Sequence, residues 1–112
     1  MERLFRGIIR LSEEKTMEAN STVQQTVCIV DDNDDIRDIY RLKFQREGFL
    51  TVTAQDGEDG LRIIKAERPD IILLDIEMPV LDGIGVLSVL KSDPDLAKIP
   101  VVILSNIDSD DM

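Results

Sequence analysis

The chain is poor in three things, and each shortage removes a class of function. It has one cysteine, Cys28, set inside the apolar stretch Val27-Cys28-Ile29-Val30. A lone thiol builds no disulfide framework within one chain, and burial is the plain expectation for it. Nothing approaches the ~20 apolar residues of a membrane-spanning helix. Arg3 and Arg6 ahead of Ile8-Ile9 give the start a faint likeness to an export signal. Arg10, Glu13 and Glu14 interrupt that region and no small-residue cleavage site follows, so a cytoplasmic location is expected. Surplus positive charge is missing as well. Residues 1–25 hold four basic and four acidic side chains, whereas residues 26–112 hold 9 basic against 19 acidic, for a net charge of -10. Phosphate contacts and anionic lipid both call for clustered Lys and Arg. Neither nucleic acid nor membrane is therefore expected to bind residues 26–112.

What the chain does have is enough apolar material, 43% of 112 residues, for one small domain. Three apolar runs stand out. Val27-Cys28-Ile29-Val30 runs into Asp31-Asp32, Ile71-Ile72-Leu73-Leu74 runs into Asp75, and Val101-Val102-Ile103-Leu104 runs into Ser105. As parallel strands of one sheet, they would gather their last residues at the edge where open α/β sheets bind ligands.

Residues 1–25 stand apart. Leu4, Phe5, Ile8, Ile9 and Leu11 fall on one helical face, and Asn20-Ser21-Thr22 with Gln24-Gln25 reads as a polar linker. The segment is read either as an extension without a role in the chemistry or as a short amphipathic helix on a tether. From Thr26 the pattern alternates. Strands are predicted over 26–31, 50–54, 70–75 and 100–104. Helices are predicted over 34–47, from the Asp56-Gly57 turn to about Arg68, and over 83–91. Ile36, Ile39, Tyr40 and Phe44 stripe the first of these helices, and Gly48 stops it as a C′ glycine. Leu61, Ile63 and Ile64 point inward from the second. Pro69 ends it, and Asp82 can cap the third. The cap of the first falls to Asp34 or Asp35. The order βαβαβαβ predicts an α/β fold, a parallel sheet with helices on both faces.

Three carboxylates and a hydroxyl at one sheet edge either hold a divalent cation or repel one another. Mg²⁺ takes oxygen ligands and keeps several waters. Asp31, Asp32 and Asp75 supply carboxylates, and the backbone carbonyl of Glu77 is placed just past the middle strand. A carboxylate beside a cation is also a possible nucleophile toward phosphorus, and Ser105 could donate a hydrogen bond to a phosphoryl oxygen. Any single aspartate at a strand end could equally be a cap or turn former. A calcium loop starting at Asp32 is excluded, because Ile36 and Arg37 occupy positions that need an oxygen ligand and a glycine.

V-C-I-V-D-D-N-D-D-I-R, I-I-L-L-D-I-E-M-P-V-L-D-G and I-P-V-V-I-L-S together resemble the receiver domain of two-component response regulators, over about residues 26–107. The resemblance implies a flavodoxin-like receiver fold with strand order 2-1-3-4-5. It implies Asp75 as phosphoacceptor, Asp32 as direct Mg²⁺ ligand, Asp31 as ligand through water, Glu77 as carbonyl ligand and Ser105 as switch hydroxyl. The partner it implies is a sensor histidine kinase or phosphotransfer protein whose phosphohistidine donates the phosphoryl group. Such a domain is a phosphoacceptor rather than an enzyme.

The pattern departs from the family after Ser105. The last helix, strand and helix do not follow, nor does the lysine that ends the family's fifth strand, and Asn106 stands where alanine is commoner. Residues 26–112 are accordingly expected to form a partial receiver with slow phosphotransfer, an open edge at strand 100–104 and a bare sheet face. A helix around Leu4–Leu11 folding back over that face is the alternative arrangement. Two other functions stay in view. One is a non-catalytic receiver that binds a kinase. The other is an aspartate-nucleophile phosphatase of the haloacid dehalogenase type, whose general acid would fall at Glu77.

Overall fold

The computed structural model describes residues 3, 5–11, 24–76, 78 and 81–104. Among the described residues, four strands form one parallel sheet, β1 (Thr26–Val30), β2 (Leu50–Ala54), β3 (Ile71–Asp75) and β4 (Val101–Leu104), in the order β2-β1-β3-β4. Helices α2 (Asp34–Arg46), α3 (Gly57–Glu67) and α4 (Gly83–Ser92) make the crossovers, and residues 5–11 form a further helix, α1. This is the parallel α/β architecture that the alternating pattern predicts. The stretch ahead of β4 contains a single 3-10 turn at Leu96–Lys98. No helix among the described residues is long and apolar enough to cross a membrane.

The apolar runs work because their side chains alternate across the sheet. Cys28, Val30, Ile72 and Leu74 face α3 and α4, where Ile64, Val86 and Leu90 meet them. Val27, Ile29, Ile71 and Leu73 face the other way, onto Tyr40 and Phe44 of α2. Ile8 of α1 joins this second cluster at 1% exposure, with Phe5, Ile9 and Leu11 packed around it. The N-terminal helix therefore lies folded back on the sheet. Its opposite side presents Arg3, Arg6 and Arg10 to solvent, and these line a concavity of about 690 Å³ together with Glu47. Among the described residues β4 pairs with β3 on one side only, as expected of a sheet edge.

Two details correct the sequence reading. The cap of α2 is Asn33, whose side-chain oxygen accepts the Ile36 N–H at 3.0 Å, rather than Asp34 or Asp35. Asn33 is the last residue with extended backbone, and the two aspartates already lie in the first turn, where they favour the helix dipole instead. Ile39 is 40% exposed, so the buried side of α2 is Ile36, Tyr40 and Phe44. Other signals act as read. Gly48 follows α2 at φ 93°, a left-handed conformation that costs a side-chain-bearing residue about 1–2 kcal/mol. Asp82 caps α4 through the Gly85 N–H at 2.8 Å.

Cys28 has no solvent exposure, and burial, with a smaller contribution from the Asp59 charge, pushes its thiol up to about 12. The thiolate is the reactive form. Native protein at neutral pH should therefore resist alkylation by iodoacetamide, while urea-unfolded protein should label readily; equal labelling rates would contradict the packing of β1.

Candidate functional site

The sheet's parallel register brings distant aspartates together. Val30 pairs with Leu74, so Asp31, one residue past β1, comes level with Asp75, the last residue of β3. Carboxylate oxygens of Asp31, Asp32 and Asp75 all lie within 4.8 Å of one another. Their environments differ. Asp31 is 6% exposed, Asp75 is half-buried and Asp32 faces solvent. Three of the five residues singled out in the sequence thus meet at one rim, while Glu77 and Ser105 lie outside the described residues.

The backbone around Asp31 is held from several sides. Its N–H donates to the Ala54 carbonyl at 3.1 Å, extending the β1–β2 ladder by one bond. Its carboxylate accepts the Asn33 N–H at 2.9 Å, and its carbonyl accepts Nη1 of Arg37 at 2.7 Å. Arg37 also pairs with Asp34 on its own helix. The sequence reading gave Arg37 no such part, and an arginine one turn into an acidic helix gives no hint that it reaches back to a strand end. Met78, a few residues past Asp75, packs at 8% exposure against the α3–α4 side of the sheet.

Electrostatics give the rim its character. Burial raises the Asp31 carboxyl above its ordinary value; the Asn33 N–H opposes this, the neighbouring Asp32 charge adds to it, and Arg37 opposes it again. Two carboxylates at this spacing repel by about 1–3 kcal/mol, allowing for water around Asp32. An all-oxygen, all-anionic donor set suits a hard cation such as Mg²⁺ or Ca²⁺ and offers none of the nitrogen or sulfur ligands that zinc sites use. The three aspartates fit a divalent ion by that chemistry.

Past Asp75, the start of α4 comes close to the end of β3. The Gly83 N–H donates to the Ile76 carbonyl at 2.9 Å, and a β-carbon at Gly83 would overlap the Asp75 carbonyl oxygen and lie 2.7 Å from Cα of Ile76. Only glycine lets the start of α4 approach the end of β3 so closely.

Comparison with known proteins agrees with this layout. The family model for the response regulator receiver domain matches residues 27–112. Among curated proteins, the chain is 36% identical over 93 residues to the "Probable transcriptional regulator ycf27" of Guillardia theta, covering 83% of this chain and 35% of that protein. It is 40% identical over 82 residues to the transcriptional regulatory protein CseB of Streptomyces coelicolor, covering 73% of this chain and 34% of that one. The chain thus spans about a third of the length of the curated relatives it matches. Among solved structures, the N-terminal domain of a response regulator receiver protein from Methanoculleus marisnigri superposes with a TM-score of 0.69 at 33% identity, covering 80% of this chain and 76% of that one. A four-strand parallel sheet, an aspartate-lined rim beyond its carboxyl ends and a family match over most of the length have one reading: the chain belongs to the receiver domain family of two-component response regulators.

Proposed function

We propose that Asp75 accepts a phosphoryl group from a phosphohistidine on a sensor histidine kinase or phosphotransfer protein, with Mg²⁺ held by Asp31, Asp32, Asp75 and the backbone carbonyl of Glu77. The observation carrying this reading is the placement of Asp75, half-buried at the end of a central strand, within 4.8 Å of two further carboxylates. Asp31 is nearly enclosed and already accepts the Asn33 N–H, which suits a ligand more than a nucleophile. Asp32, exposed at the rim, completes the cation's carboxylate set.

In the transfer, a carboxylate oxygen of Asp75 attacks phosphorus in line with the breaking N–P bond. The imidazole leaves with the bonding pair and is neutral once one ring nitrogen carries a proton. Asp75 is left as an acyl phosphate. A bound Mg²⁺ would offset repulsion between the incoming phosphoryl oxygens and the carboxylates. The Ser105 hydroxyl would donate to a phosphoryl oxygen and shift toward it, and the added charge of about -1.5 to -2 is the signal. Receiver domains are phosphoacceptors rather than classical enzymes, so no multiple turnover on a generic phosphate ester is expected, which separates this reading from an aspartate-based phosphatase. The partner is a protein; the excess acid in residues 26–112 gives nucleic acid and anionic membrane nothing to hold. A histidine kinase fed by cytoplasmic ATP would place the chain in the cytoplasm.

The test is phosphorylation by acetyl phosphate with Mg²⁺, or by a histidine kinase. One acid-labile phosphate per chain is expected, with none in Asp75→Asn. An undiminished yield in that variant would overturn the assignment. Kinase binding without any phosphate on the wild type would favour the non-catalytic receiver instead.

A further inference from the structure

We propose that Gly57 is a positioning residue for Asp75, acting through the segment Leu81–Gly83. The inference rests on the metal reading above and extends it to a residue on a different helix. Gly57 opens α3, and its place is fixed by the cap before it, where Asp56 accepts the Asp59 N–H at 2.8 Å. A β-carbon at Gly57 would overlap the carbonyl oxygen of Leu81 and stand 2.9 Å from both its carbonyl carbon and its β-carbon. Two of those three atoms are backbone, so a rotamer change in Leu81 cannot relieve the clash, and the chain at Leu81 must move.

That movement has a direct route to the acidic rim. Asp82 is tied to α4 by its bond to the Gly85 N–H at 2.8 Å. Gly83 is tied to the residue after β3 by its 2.9 Å bond to the Ile76 carbonyl, and it lies so near the Asp75 carbonyl oxygen that an added β-carbon would stand 2.4 Å from it. Leu81, Asp82 and Gly83 therefore form a strut. One end lies where a β-carbon on Gly57 would stand, and the other lies beside the Asp75 carbonyl with no room for a β-carbon between them. Shifting the first end displaces the second, and the Asp75 carboxylate moves relative to Asp31 and Asp32. Mg²⁺ demands near-ideal octahedral geometry, whereas Ca²⁺ tolerates variable ligand number and distance. A displaced Asp75 should weaken Mg²⁺ more than Ca²⁺.

The experiment titrates wild type and Gly57→Ala with Mg²⁺ and with Ca²⁺ by calorimetry, alongside melting curves. The Kd for Mg²⁺ is expected to rise about tenfold, the usual scale for losing an outer support of a metal site, with a smaller rise for Ca²⁺. A residue that mattered only for stability would lower the melting temperature and leave the ratio of the two Kd values unchanged, and that result overturns the proposal. Should Gly57→Ala fail to fold, amide resonances of the wild type decide. Mg²⁺ should shift Gly57 together with Asp75 and Gly83 while Gly48 stays put, and a stationary Gly57 overturns the proposal. A wild type that binds no Mg²⁺ at all brings down the metal reading and this inference with it. Normal wild-type binding with an unchanged ratio in the variant removes this inference alone.

Discussion

Replacing Ile8 with alanine should destabilise the protein by about 2–5 kcal/mol, the range for truncating a large aliphatic side chain in a packed core. Ile8 sits at 1% exposure among Val27, Ile29, Phe44, Ile71 and Leu73, so α1 forms part of the core. Aromatic contacts reinforce the seat. The Phe5 ring lies 4.9 Å from that of Phe44, and Nζ of Lys43 stands 5.2 Å over the Phe5 ring. Domains of this size have only about 5–15 kcal/mol of total stability, so the loss is a large share. It corresponds to a fall in melting temperature on the order of 10–20 °C. Urea or thermal unfolding checks it, with Leu42→Ala, at a residue 47% exposed, as a nearly neutral control. Removing residues 1–16 should cost at least as much as Ile8→Ala. Unchanged midpoints in both would mean that α1 does not hold the sheet face.

The second large effect concerns charge at the rim. Asp32→Asn should raise the melting temperature of metal-free protein and erase the stabilisation that Mg²⁺ gives the wild type. Three carboxylates within 4.8 Å repel in the absence of a cation, and removing one charge relieves two of the three pairs. The pH dependence follows from Asp31. Its carboxyl titrates above the ordinary value in the folded chain, through burial first and the Asp32 charge further down the order. The folded state thus holds its proton more tightly than the unfolded state. The resulting stability is full below the unfolded carboxylate range and is lost as pH rises through the raised folded value. Metal-free wild type should therefore weaken over that interval, and Asp32→Asn should weaken less. Mg²⁺ at a hundred times its Kd adds about 2.7 kcal/mol to a chain that binds it only when folded. Melting curves in chelator and in Mg²⁺, taken across the acidic range, check both halves. A variant that melts lower than wild type in chelator would refute the repulsion argument.

The strands were legible because a strand covered on both faces must be apolar throughout, and 71–74 can be little else. The meeting of Asp31, Asp32 and Asp75 was legible for a topological reason: strands joined by helical crossovers run parallel, and parallel strands end at the same edge of the sheet. Three features were not. Asn33, Asp34 and Asp35 are all competent caps, and only the backbone phase at the strand end selects the asparagine. The apolar face of α1 predicts a buried helix, but no local pattern decides between a seat on the bare sheet face and an extension apart from it, so its place on β1 and β3 is one alternative of two. Asp56-Gly57 reads as a turn on composition; its role as cap and first helical residue, packed against Leu81, is a contact across 24 positions that no local pattern encodes.

The placement of α1 also separates charge among the described residues. Carboxylates crowd the rim where β1 and β3 end, while Arg3, Arg6 and Arg10 surround the cavity beside Glu47, at the far end of α2 from that rim. An approaching protein with a positive docking face would be turned toward the rim before touching it, and a negative one turned away. Orientation by long-range field raises encounter rates and fades as ionic strength grows.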